Sequence, residues 1–238
     1  MPKPKHVKDT PSSFLRMVLG WLKEIGIVIV SALFLSFLIK LFFFQSFWIP
    51  SSSMEPTLDV GDRILVTKWR PGPMDLRNGD VVVFRDPGDW LGAQPSVIQE
   101  SNWLGDVLTF VGLMPDDSGE HLVKRVIGLP GDTVECRTRD GQVIVNGEQI
   151  VEPYLGEGES PCAGGASIPW STTVPEGYVW VMGDNRPNSA DSRFHTGDPG
   201  GGSIPIRNIV GSAFVTVWPL DHWGGIGNPL AGEQAAAS

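Results

Sequence analysis

Beyond residue 48 the sequence has no cluster of Lys or Arg, and this alone removes a large class of functions. Broad nucleic-acid binding needs grouped cations to neutralise phosphates, whereas residues 49–238 carry twelve Lys/Arg against 25 acids. Cysteine is almost as scarce. Cys136 and Cys162 form no CxxC pair and have no His at zinc-finger intervals, which argues against a structural zinc site. In an oxidising compartment they could close a loop of about 26 residues, worth ~3 kcal/mol on the chain-entropy model; two unpaired thiols are the alternative. Helical periodicity is nearly missing after the first 48 residues, no GxSxG elbow surrounds any serine, and there is no internal repeat.

What the chain does have is one long apolar run. Ile25–Ile39 reads IGIVIVSALFLSFLI without a charge and continues after Lys40 as LFFF, so 25–44 could span ~30 Å as a helix. Lys40 lies where its stem can snorkel to the headgroups, and Trp21 and Trp48 lie where interfacial aromatics are expected. Lys3, Lys5, Lys8, Arg16 and Lys23 precede the run, and the positive-inside rule puts that end in the cytoplasm. Everything after about residue 47 is then outside. A removable secretory signal is the competing reading, but FFFQSFWIP lacks the small-x-small site that cleavage needs. The expectation is a retained single-pass anchor in a plasma membrane, with a cytoplasmic tail over 1–24 whose first 13 residues are disordered.

After the anchor the sequence turns to short alternating runs punctuated by Gly, Pro and Asp, the pattern of a mainly β domain over 47–222. Candidate strands are Asp62–Trp69, Asp80–Arg85, Leu122–Gly128, Thr133–Cys136, Val143–Val145, Gln149–Val151, Tyr178–Met182 and Val210–Trp218. Asn146-Gly147 between two such runs predicts a type I′ hairpin, because both central positions need positive φ. The stretch 86–120, with WLGDVLTFVGLMP, reads as an insertion, and its apolar run is too short to cross a bilayer. Residues 223–238 read as a flexible tail.

Three polar segments carry the candidate chemistry. The first is Pro50-Ser51-Ser52-Ser53-Met54-Glu55-Pro56-Thr57-Leu58, which in isolation is an ordinary linker. The second is HLVKRVIGLPGD, 121–132, an apolar strand interrupted by Lys124 and Arg125. Neighbouring strand residues face opposite ways, so at least one cation must point with apolar neighbours. Burial disfavours a charged amine and lowers its pKa toward the range of a working base, whereas Arg does not deprotonate. Lys124 is therefore the candidate base and Arg125 a structural partner. The third is GDNRPNSADSR, 183–193, where Asp191 and Arg193 are close enough in sequence to pair and Asp184 could reach a cation elsewhere.

With these segments in hand, the chain resembles the bacterial type I signal peptidases. The resemblance covers the apolar span, SSSMEPTL, the GDRILVTKW and GDVVVFRDP strands, KRVIGLPGD and GDNRPNSADSR, in the family's order. It implies a β-rich domain of antiparallel sheets and a serine endopeptidase that removes N-terminal signal peptides from secretory preproteins after small-X-small sites. It makes Ser53 the nucleophile and Lys124 its general base, with the Ser51 hydroxyl and the Ser53 amide as the oxyanion hole. Ser189 would orient the Lys124 amine, and Asp184 with Arg125, and Asp191 with Arg193, would be supporting salt bridges. Neither metal nor cofactor is implied. Pro187, where some relatives carry an acid, and the long 86–120 stretch, which is similar to actinobacterial members, are the departures.

Two other readings stay open on the sequence. A Ser/His/Asp hydrolase could draw on His121 or His195 with Asp184, Asp191 or Asp198, and a membrane-tethered β domain could bind exported polypeptides without cutting them. The soluble self-cleaving repressors, which share Ser/Lys chemistry, are disfavoured by the anchor and by the lack of a DNA-binding helix pair. The expected partners are preproteins and the lipid bilayer, with the translocation machinery left open.

Overall fold

The computed structural model describes residues 12–72, 74–88, 90, 121–138, 141–164 and 168–230. Most of the stretch read as an insertion, the first eleven residues and the last eight lie outside the described residues. The chain divides into two units, residues 1–42 and 43–238.

The first unit is helix α1, Ser12–Phe43, 32 residues long. It starts well before the uncharged run, because Leu15, Met17, Val18, Leu19 and Leu22 extend the helix-forming sequence backward with no Gly or Pro pair to break it. Within it Arg16–Leu38 is long and apolar enough to cross a membrane. Its apolar side chains, such as Ile27, Val30, Leu33 and Leu35, are exposed, an arrangement that lipid stabilises and water does not.

The second unit is built on β strands: β1 (Phe44–Trp48), β2 (Arg63–Thr67), β3 (Val81–Arg85), β4 (His121–Gly128), β5 (Thr133–Cys136), β6 (Ile144–Val145), β7 (Glu148–Gln149), β8 (Trp170–Thr173), β9 (Tyr178–Met182), β10 (Ile204–Pro205), β11 (Ile209–Trp218) and β12 (Gly224–Gly225). The larger sheet runs β1-β2-β11-β3-β4-β9-β10, with β12 also on β11, and the smaller runs β7-β6-β5-β8. Every pairing is antiparallel. Asn146 and Gly147 adopt φ of 54° and 87° and join β6 to β7 with Val145 opposite Glu148, the tight hairpin that the dipeptide favours.

Three apolar clusters hold these layers. One gathers Phe47, Met54, Leu58, Ile64, Val66 and Val83; a second Val82, Phe84, Val126, Val181 and Ile204; a third Ile127, Val134, Val174, Trp180 and Met182. The third contains Cys136 and Cys162, which are joined in a disulfide with Cα atoms 6.0 Å apart. Strand β4 serves all three, because Val123 packs on the first cluster, Leu122 and Val126 on the second and Ile127 on the third.

The strands that the sequence pattern did not mark are short or disguised. Phe44–Trp48 looked like the end of the apolar run, yet it pairs residue for residue with β2 and buries Phe47. Trp170–Thr173 pairs with β5 through alternating half-buried positions that carry little apolar signal. Residues 223–230, read as the start of a loose tail, are fixed. Gly224 and Gly225 pair with β11, Asn228 donates to the Asp80 carboxylate at 2.8 Å, and Leu230 is buried.

Gly128, at the end of β4, packs tightly against residues of the third apolar cluster. A Cβ there would lie 2.6 Å from a Val134 methyl and 3.0 Å from a Val174 methyl, both valines being buried. Gly128→Ala is expected to destabilise the β unit by ~1–3 kcal/mol through overpacking, which outweighs the usual gain from removing a strand glycine. Thermal unfolding checks this, and a variant with an unchanged or raised Tm would contradict the packing account.

Candidate active site

Strand β4 brings two adjacent cations into the interior, and the structure treats them differently. Arg125 is 1% exposed and ion-paired along one edge of its guanidinium: Nε donates to Asp184 Oδ1 at 2.9 Å and Nη2 to Asp184 Oδ2 at 2.6 Å. Lys124 is 2% exposed, and among the described residues no carboxylate pairs with it. Its Nζ lies 2.5 Å from Ser53 Oγ and donates to the Val123 carbonyl at 3.0 Å. Removal from water, the dominant effect, depresses the amine to about 8; the Asp191 and Asp184 charges oppose this and Arg193 assists it.

The missing counter-charge follows from a set of ion pairs that already engage the acids of this region. Arg193 grips Asp191 through two 2.8 Å bonds, Arg186 grips Glu152, and Arg125 grips Asp184. Three guanidiniums thus saturate three carboxylates. Burial would raise the Asp191 carboxyl, but its bonds from Arg193 and from the Gly183 amide at 2.9 Å hold it below the usual carboxylate range.

Ser53 sits in a 3-10 turn, Ser52–Met54, whose Met54 anchors in the first apolar cluster. The turn is tied to the 183–193 loop. The Asn185 amide donates to Ser53 O at 3.1 Å, Asn185 Nδ2 to Ser52 O at 3.0 Å, and Asn188 Nδ2 to Ser52 Oγ at 2.8 Å. Thr57 Oγ1 donates to Asp184 Oδ2 at 2.6 Å, joining the same loop to the Arg125 pair. Gly183 permits this approach, since a Cβ there would lie 2.5 Å from Ser53 O and closer still to Ser189 Oγ. Ser51 Oγ is 3.3 Å from Ser53 Oγ.

A buried, depressed amine in hydrogen-bond contact with a serine is the arrangement of a nucleophile and its base. The sequence matches a family model described as "Signal peptidase, peptidase S26" over residues 21–218. The chain belongs to the signal peptidase family. It is 42% identical over 232 residues to a probable signal peptidase I of Mycobacterium leprae, covering 86% of this chain and 79% of that one. It is 41% identical over 223 residues to signal peptidase I of Mycobacterium tuberculosis, covering 85% and 74%, and 34% identical over 228 residues to that of Pseudomonas aeruginosa, covering 83% and 72%. A solved signal peptidase I of Enterococcus faecalis aligns with a TM-score of 0.36 at 24% identity over 58% of this chain and 97% of that one.

For this signal peptidase, the structure brings Ser51, Ser53, Lys124 and the Arg125–Asp184 and Asp191–Arg193 pairs into one region. Ser189 is different. It is buried beside Gly183, but its Oγ has no partner of good hydrogen-bond geometry, only a weak pull toward Asp191, and the bonds of Lys124 go to Ser53 and Val123 instead. His195 stacks on Trp90 with ring centroids 4.2 Å apart and lies 3.1 Å from Asp198, with no contact to Ser53. His121 packs against Phe47. The residues that sequence reasoning did not single out are Thr57, Asn185, Asn188, Arg186, Glu152 and Tyr154. The Asn pair stood in a segment already marked as polar, but the Glu152–Arg186 contact spans 34 residues and no local pattern announces it.

A lysine whose amine is held below its free pKa by burial costs stability wherever the unfolded chain would protonate it. Below pH 8 both states bind the proton and the penalty is full. Between about 8 and 10.5 only the unfolded chain binds it, so stability rises with pH and the penalty fades. Lys124→Met is therefore expected to be inactive yet more stable at pH 7, by up to ~3 kcal/mol, with the gain shrinking toward pH 10. Denaturant unfolding at several pH values checks this; a Lys124→Met protein less stable at pH 7 would contradict it.

Proposed function

We propose that this signal peptidase cleaves through a Ser53 nucleophile and a neutral Lys124 base. The observation that carries the reading is the 2.5 Å contact between Lys124 Nζ and Ser53 Oγ inside a buried site where, among the described residues, no carboxylate pairs with the amine. Lys124 takes the Ser53 hydroxyl proton as Oγ attacks the scissile carbonyl. The resulting oxyanion is held by the Ser53 amide and the Ser51 hydroxyl, each worth ~3 kcal/mol. The ammonium then returns the proton to the leaving amine as the C–N bond breaks, leaving the acyl group on Ser53. Water, deprotonated by the same amine, hydrolyses the ester and regenerates both side chains. No step uses a metal or cofactor. Ser189, buried beside Gly183 and drawn toward Asp191, contributes by orienting the Lys124 amine.

The substrate is a secretory preprotein, entering as an extended strand with small residues at the -1 and -3 positions. Among the described residues β9 pairs with β4 only from Arg125 onward, which leaves Leu122–Val123, next to Lys124, without a strand neighbour on that side. That edge suits main-chain pairing by the substrate. Helix α1 serves as the membrane anchor, and the cations before its uncharged run favour an N-terminus in the cytoplasm and a β unit outside a bacterial plasma membrane. Ser53 lies ten residues after the helix end, near the level at which a membrane-held signal sequence emerges. Lipid is the second partner, and the translocation machinery would deliver substrate.

The test is cleavage of a preprotein with an Ala-X-Ala site in detergent or liposomes. Ser53→Ala and Lys124→Ala are expected to lose essentially all turnover while His195→Ala retains it; loss in Ser53→Ala and His195→Ala with Lys124→Ala active would replace the dyad with a triad.

A further inference from the structure

The segment between the two cysteines touches the Arg125 and Arg186 guanidiniums, and the residue just past it touches that of Arg193. Glu152, 9% exposed, accepts from Arg186 through both oxygens. Tyr154 donates its hydroxyl to Glu152 Oε1 at 2.6 Å and lays its ring 3.9 Å from the Arg125 guanidinium carbon. On either side of Cys162, the Pro161 carbonyl accepts from Arg186 and the Ala163 carbonyl from Arg193. The disulfide fixes this end of the segment to β5. Arg186 then carries the constraint to the reacting groups, because its Nε donates to Gly183 O at 3.1 Å and Gly183 lies against Ser53 and Ser189.

We propose that Glu152 and Tyr154 are positioning residues for the cleavage reaction, acting through Arg186 and Arg125 to hold the Gly183–Ser189 turn and the Ser53–Lys124 pair in register. The inference rests on the Ser53–Lys124 reading and extends it to a segment that touches neither residue. Charge accounting gives it a signature. Glu152 is one of three carboxylates that balance three arginines, so its neutral replacement leaves Arg186 with a surplus positive charge that offsets Asp184, one of the two acids whose charge favours the protonated Lys124 amine. A surplus cation makes the amine harder to protonate, so the acidic limb of the rate profile moves to lower pH even as turnover falls. A purely structural role has no such signature. The Tyr154 contact with Arg125 is through the ring face, so Phe preserves it and Leu does not.

The experiment measures kcat and KM against pH for the full chain in detergent with a preprotein substrate. The variants are Glu152→Gln, Glu152→Asp, Tyr154→Phe, Tyr154→Leu, Ser53→Ala, and Val145→Ala as a destabilised control in the smaller sheet. Glu152→Gln is expected to lose about tenfold or more in kcat with KM little changed, the scale of a misplaced but intact site, and to shift the acidic limb downward. Glu152→Asp is expected to restore part of the rate and the wild-type limb, and Tyr154→Phe to exceed Tyr154→Leu. Wild-type kcat and limb in Glu152→Gln, or a loss no greater than that of Val145→Ala with the limb unmoved, would overturn the inference. Should Glu152→Gln fail to fold, the Tyr154 pair decides, with equal rates in Phe and Leu overturning it. Residual cleavage by Ser53→Ala would overturn the dyad reading and this inference with it, whereas an inactive Ser53→Ala beside a wild-type-like Glu152→Gln removes the inference alone.

Discussion

A lysine amine held out of water, against a serine and without a carboxylate of its own, is the condition on which the site depends. A carboxylate paired with Lys124 would keep it charged and useless as a base at neutral pH. The protein avoids this while packing several acids close by, because each nearby acid is already occupied: Asp184 by Arg125, Asp191 by Arg193 and Glu152 by Arg186. Arginine suits the task, since it stays charged and meets a carboxylate with two parallel bonds. The pairs therefore do two things at once. They make a rigid polar floor, and they deny the amine a partner.

The fold serves that condition by bringing together segments far apart in sequence. Strand β4 delivers Lys124 and Arg125 as neighbours, β9 ends at Met182 so that the 183–193 loop turns back over the strand, and Met54 and Leu58 pin the serine turn into the first apolar cluster. Side-chain amides then join the serine turn to the loop through Asn185 and Asn188. Geometry of this kind cannot be carried by a mobile loop, because a nucleophile and base out of place by an ångström lose much of their rate.

How much of this was legible depended on whether the signal was local. The anchor, the Asn146-Gly147 hairpin and the strands around Val82, Val134 and Val181 could be read because composition and period mark them directly. The candidate dyad came from residue types and from resemblance to a family, and the depressed amine from the argument that a strand cannot turn two adjacent cations to the same side. Strands β8, β10 and β12 are only two to four residues long, too short to show a period, and β1 hid in the apolar run before it. The Glu152–Arg186 pair, the Tyr154–Arg125 stack and the docking of Asn228 and Leu230 are tertiary choices without local grammar. The missing Ser189–Lys124 bond is the converse case, a contact implied by resemblance where the amine instead bonds Ser53 and Val123.

The most direct test of the central claim is a titration of the Lys124 ammonium itself, followed by the chemical shift of its labelled Cε in the folded protein. A midpoint near 8, well below that of the exposed lysines, is the result predicted by a buried amine whose neighbouring acids are all taken. A midpoint at the ordinary lysine value, ~10.4, would leave Lys124 almost wholly protonated at neutral pH, without the neutral fraction that a base needs.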